Sequence, residues 1–167
     1  MNRRSYLVAA GLGTLSLAGC VGAPAESPDG TVLQLGPLAP TPQWDRGDPT
    51  ESVGYVARFD SRDEMEWLLG ELDAQSDRVT EFVDATDFET ATVLYIQSVG
   101  PNTCYAEIDV TDRSVTDEAV VATASAVDTS EGDVACGEAI TYPAALVRVA
   151  GDDLPAAARA TLTNGWG

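Results

Sequence analysis

"ATVLYIQSV", Ala91 to Val99, is the stretch that decides the fold. It is an apolar, β-leaning run of strand length that stops at Gly100-Pro101-Asn102, which is turn material. Such a run reads as a central strand. The residues after it confirm a period of two. Cys104, Ala106, Ile108 and Val110 alternate with Tyr105, Glu107, Asp109 and Thr111, so this segment predicts a half-buried strand. Glu118 to Val127 (EAVVATASAV) alternates in the same way with small residues, and Thr129 to Asp133 supplies the next turn. Ile140 to Val149 (ITYPAALVRV) reads as a further strand, in which Pro143 predicts a bulge or an edge.

Upstream of Ala91 the period lengthens. Ser61 followed by Glu64 is a capping-box signature, and Met65, Leu68, Leu69 and Leu72 recur on one helical face. Asp63, Glu64 and Glu66 sit where they favour the helix dipole. A helix is therefore expected from Ser61 to Asp73. Arg78 to Asp87 leaves open a second short helix or a connecting arm. Val53 to Phe59 is β-leaning, and Leu154 to Leu162, with Pro155 at an N1-like position, predicts a short C-terminal helix. No internal repeat is evident. These elements define an α+β class: an antiparallel β-sheet or small β-sandwich with one packed helix, spanning residues 52–167.

Residues 20–51 differ in composition. Six of the nine prolines fall between Val21 and Pro49, with glycines between them, which favours an extended tether. Thr31 to Leu35 could add an edge strand within it. Residues 1–19 read as a signal peptide. Arg3 and Arg4, then Ser5, Tyr6 and Leu7, precede a weakly apolar segment that is short for a membrane span. Leu17-Ala18-Gly19-Cys20 follows, with small residues where a peptidase would close and a thiol where a lipid would be attached.

This N-terminal stretch resembles the signals of haloarchaeal twin-arginine lipoproteins. The resemblance implies export through Arg3 and Arg4, lipid attachment at Cys20, and a membrane-anchored location on the extracellular face. An ordinary secretory signal can also carry two arginines.

Charge and composition agree with that setting. The chain carries 27 Asp and Glu against 9 Lys and Arg, a net charge of −18, and all nine cations are arginine. The acids are dispersed and not concentrated in one tail. High net charge strains a compact fold in dilute buffer, whereas in molar salt the Debye length shrinks to about 3 Å and the repulsion is screened. The composition resembles that of haloarchaeal proteins. Its sign argues against nucleic-acid binding, which needs a basic footprint.

If Cys20 carries lipid, Cys104 and Cys136 remain as an even pair in an exported domain, which reads as one disulfide between neighbouring strands. Two cysteines without histidine fall short of a zinc site, so no metal is assigned. The absence of histidine and lysine removes Ser-His-Asp, Cys-His, Ser-Lys and Schiff-base chemistry. No nucleotide-binding glycine motif is present, and no cofactor is assigned. Asp128 to Asp133 (DTSEGD) looks like a calcium loop, but its glycine is misplaced and no glutamate closes the frame. Tyr142 and Trp166 are candidate exposed aromatics.

From Val53 to Val149 the chain bears a likeness to the accessory domain of bacterial protease complexes, the PrcB C-terminal type. The likeness rests on Val83 to Phe88 after a helix, the Tyr105 strand, and Thr141-Tyr142-Pro143 leading into Leu146 to Val149. Thr103-Cys104 replaces that family's glycine pair. The likeness implies a non-catalytic interaction module. The expectation is therefore a surface lipoprotein of a halophilic archaeon that binds or scaffolds another envelope protein. A carboxylate-dependent envelope hydrolase is the alternative.

Overall fold

A computed structural model describes residues 31–41, 44, 53–72 and 76–166. The expected signal segment 1–19 with Arg3 and Arg4, Cys20, and most of the expected tether lie outside the described residues. Seven strands form two sheets. β1 (Val32–Pro37), β2 (Gly54–Phe59), β3 (Ala91–Ser98) and β6 (Pro143–Ala150) make a four-stranded antiparallel sheet in the order β1-β6-β3-β2. β4 (Tyr105–Val115), β5 (Ala119–Asp128) and β7 (Ala157–Thr163) make a three-stranded sheet in the order β4-β5-β7. β4 pairs with β5 antiparallel, and β7 runs parallel to β5.

Alternation along each strand builds three layers. On β3, Leu94 and Ile96 face the three-stranded sheet, while Val93 and Tyr95 face the helices. β6 divides likewise, Ala145, Val147 and Val149 to one side and Ala144 and Leu146 to the other. The three-stranded sheet answers with Ile108, Val120, Ala122 and Ala124. Both faces of β3 are therefore dry, and all eight of its residues are buried.

The helical layer begins as the sequence suggests. A 3₁₀ turn, Asp63–Met65, runs into α1 (Glu66–Glu71). The Glu64 N–H donates to Ser61 Oγ (3.4 Å), and the Asp60 N–H donates to the Glu64 carboxylate (2.7 Å), a capping exchange displaced by one residue. The helix ends at Glu71, two residues short of expectation. The segment left open is helical: α2 (Ser76–Asp84) buries Val79, Phe82 and Val83. Arg148 on β6 closes its C-terminus, where a cation is favourable. Its Nη2 donates to the Phe82 carbonyl (2.8 Å), and its guanidinium lies 4.4 Å from the Phe82 ring centre. Two helices therefore cover the sheet where one was expected.

Two further readings need correction. Leu154 to Leu162 is not a helix. Ala158, Ala160 and Leu162 turn toward the core and Ala157, Arg159, Thr161 and Thr163 away from it, and pairing with β5 overrides the helix propensity of alanine. Pro143 makes neither a bulge nor an edge; it is the first residue of an inner strand, where its missing N–H is tolerated. The irregularity lies opposite, in β1 between Gln34 and Gly36. The edge strand that Thr31 to Leu35 could add is present as Val32–Pro37, upstream of residue 52. This edge strand carries Val32, Leu33 and Leu35 into the cores on both faces.

Side chains close the two seams where the sheets meet edge to edge. At the β1–β4 seam, Gln34 Nε2 donates to the Ile108 carbonyl (2.6 Å), and the Ile108 N–H donates to Gln34 Oε1 (2.9 Å). At the β2–β7 seam, Arg58 donates to the carbonyls of Pro155 and Ala157. Gly54 lets this seam close, because a Cβ there would lie 2.5 Å from the Gln97 carbonyl oxygen and 2.5 Å from Leu162 Cδ1.

Candidate functional site

The strand directions give the molecule two unlike ends. At the end where β3 finishes, Gly100 and Thr141 exchange backbone hydrogen bonds (2.9 and 3.0 Å), and the Gly165 N–H donates to the Val99 carbonyl (2.9 Å). Cys104, just before β4, is joined to Cys136, with Cα atoms 5.4 Å apart. Cys136 lies in the long β5–β6 connection, not beside a strand, so the disulfide ties a loop to the start of β4. Thr103 and Gly137 reinforce the tie. The Thr103 N–H donates to the Gly137 carbonyl (3.0 Å), and the Gly137 N–H donates to Thr103 Oγ1 (2.7 Å). Gly100 is required at the crossing, since a Cβ there would meet Tyr105 Cβ at 2.2 Å.

Large hydrophobic residues are exposed at this end. Among the described residues five such side chains are exposed: Val53, Val115, Val134, Ile140 and Trp166. Val53 precedes β2, Val134 and Ile140 flank the disulfide loop, and Trp166 follows β7. Only Val115 belongs to the opposite end. Trp166 is 41% exposed, in keeping with the sequence reading. Tyr142 is not a free aromatic. It is half-buried, with its ring 5.9 Å from that of Trp44 in an edge-on contact.

The flank beside β2 holds a partly enclosed charge. Arg58, with its side chain only 11% exposed, donates from Nε to Asp60 Oδ1 (2.8 Å) and pairs through Nη2 (2.7 Å). Thr92 Oγ1 donates to the same oxygen (2.8 Å). This pair separates two hollows, of about 430 and 350 Å³. Tyr55, Phe59, Trp67 and Glu64 line the first, while Glu89, Asp153 and Leu154 line the second. Asp60 remains about half exposed, and no Asp or Glu among the described residues is buried. Carboxylate hydrolysis depends on one acid held protonated by desolvation near a second, ionised one. Every acid that lines either hollow is exposed to solvent.

The acidic loop after β5 is satisfied locally. The Asp128 carboxylate accepts hydrogen bonds from the Ser130 N–H (2.8 Å) and hydroxyl (2.5 Å), which hold it below the usual carboxylate range. Among the described residues no group of three or more cysteines or acids is placed to hold a metal ion. None of their helices is long and apolar enough to cross a membrane.

Of the residues singled out by sequence, the structure joins Cys104 to Cys136 and brings Trp166 to the same end. Arg3, Arg4 and Cys20 lie outside the described residues. The Arg58–Asp60 pair was not foreseen. The only signal for it was an arginine two residues before an aspartate at a strand end, a pattern that is common by chance. No protein-family model, curated protein or solved structure matches the chain.

Proposed function

We propose that this chain is a lipid-anchored protein of a haloarchaeal cell surface, and that its β-rich domain binds or scaffolds another envelope protein without catalysing a reaction. One observation carries the reading: among the described residues, four of the five exposed large hydrophobic side chains lie at one end, while the chain enters β1 at the other. Thr31 marks the entry end, since the Arg148 N–H donates to its carbonyl (2.7 Å). Eleven residue steps separate Cys20 from Thr31. Fully extended they reach at most about 40 Å. Lipid on Cys20 would hold the entry end toward the membrane and turn the apolar end away from it. Exposed apolar surface concentrated at one end favours partner binding there. Of the residues behind the PrcB-type likeness, Tyr105 and Thr141 to Pro143 lie at this same end, while Val83 to Phe88 lead into the start of β3 at the other.

The test is site-specific photo-cross-linking on intact cells, with the probe at Trp166 in one variant and at Val115 in another. A discrete adduct from position 166 and none from 115 is expected. Equal labelling at both positions, or none, overturns the end-on reading. Separately, Cys20→Ser should release the protein from washed membranes, and retention with unchanged mobility overturns the anchor.

A further inference from the structure

Tyr95 is 1% exposed, and its hydroxyl has no hydrogen-bond partner among the described residues. A buried hydroxyl left unsatisfied costs about 1–3 kcal/mol, so such a group calls for an occupant nearby. The side chain lines a cavity of about 50 Å³ between β3, α1 and the segment after β1, together with Ala39, Thr41, Trp67 and Glu71. Trp67 forms a shared wall, because it also lines the 430 Å³ hollow with Tyr55, Phe59 and Glu64. The rings of Tyr55, Tyr95, Trp67 and Phe59 form a chain of contacts, with centres 6.3, 6.5 and 5.9 Å apart.

We propose that this cavity binds the head of a protonated primary aliphatic amine, whose alkyl chain runs over Trp67 into the wider hollow. The chemistry selects that head. The Tyr95 oxygen has lone pairs to accept from an N–H, the Glu71 carboxylate supplies opposite charge, and an indole ring attracts a cation. Size narrows the choice. The cavity holds an ammonium group and about one methylene, whereas a trimethylammonium head is too large. The chain contains no lysine, so no side chain of its own supplies the head. A free amine and a lysyl side chain of a partner present the same group.

The test is titration of the purified domain in molar sodium chloride at constant ionic strength, followed by calorimetry and by the shift in melting temperature. The probes are n-butylammonium, blocked lysine (N-acetyl-lysine amide), n-butanol and tetramethylammonium. Saturable binding of butylammonium is expected, with none of butanol or tetramethylammonium. Glu71→Gln and Tyr95→Phe should each weaken it about tenfold, the loss of one charge-assisted or buried hydrogen bond. Tyr95→Phe should also raise the melting temperature of the ligand-free protein, because it removes an orphaned hydroxyl. Binding of blocked lysine as well extends the site to partner side chains; butylammonium alone assigns it to free amines. Equal binding of butanol, full affinity in both variants, or no saturable binding (a water-filled cavity only) overturns the proposal.

Discussion

In the four-stranded sheet, β3 buries every residue; in the three-stranded sheet, β5 buries alternate residues and β7 buries none completely. The cause is what covers each face. Helices and the opposing sheet enclose the first on both sides, so its strands place Leu, Ile, Val and Tyr on both faces. The second has one dry face, filled largely by alanine, and a wet one bearing Asp109, Asp112 and exposed threonines. The four-stranded sheet with its helices holds a core of its own, and the three-stranded sheet depends on it. Small interior residues bring the layers close but bury little area for each strand.

Salt should separate the two regions most completely. Excess acid, net −18 over the chain, repels at low ionic strength, where the Debye length is about 10 Å at 0.1 M against about 3 Å at 1 M. Circular dichroism should show the domain folded in molar salt and losing structure in tens of millimolar. Hydrogen exchange should show β4 and β5 losing protection before β3. An unchanged spectrum and melting temperature across that range would falsify the dependence on screening.

Truncating matched leucines should follow the same division. Leu94 is fully buried between the sheets, whereas Leu162 on β7 is only half-buried. Leu94→Ala should cost about 3–5 kcal/mol and Leu162→Ala about 1–2, read from denaturant midpoints. Similar losses would mean that the two sheets share one core equally.

Reduction of Cys104–Cys136 comes next. The bond closes a 32-residue separation, so its removal should cost about 3–4 kcal/mol in the chain-entropy account. In high salt the reduced domain should stay folded with a lower melting temperature. The new exchange should be confined to residues 129–140 and the start of β4, and its spread into β3 would contradict the division.

The smallest effect is alkaline. Burial, then Tyr55 and Glu71 nearby, holds the Tyr95 phenol above the usual 10.0, and burial also raises Tyr55. Above pH 10 the unfolded chain sheds protons that the folded one keeps. Stability is therefore intact below pH 10 and falls as the pH rises beyond it. Tyr95→Phe should flatten most of that slope, and an unaltered slope would place its origin elsewhere.

What could be read from the sequence tracks this contrast. The period of two in residues 104–110 and 118–127 marked half-buried strands because one face is wet, and the dense run 91–99 marked the fully covered one. The β7 segment misled because alanine serves a helix or a crowded strand interior equally, and its parallel partner is some 38 residues away. α2 was ambiguous since its apolar face has only three buried residues, Val79, Phe82 and Val83. The disulfide was legible by counting. The Tyr95 cavity was not, since residues 39, 41, 67, 71 and 95 share no spacing, and only the folded layers bring them together.

The latch formed by Gln34 also has a mechanical meaning. β1 begins at the entry end, while Trp166 follows β7 at the other. Tension between those two points runs along β1 and loads its rungs to β6 side by side, together with the paired hydrogen bonds of Gln34 to Ile108. The strand must shear all of these at once and cannot be peeled away one rung at a time. A domain tugged from its leading segment by a partner held at the far end would therefore resist in its strongest direction.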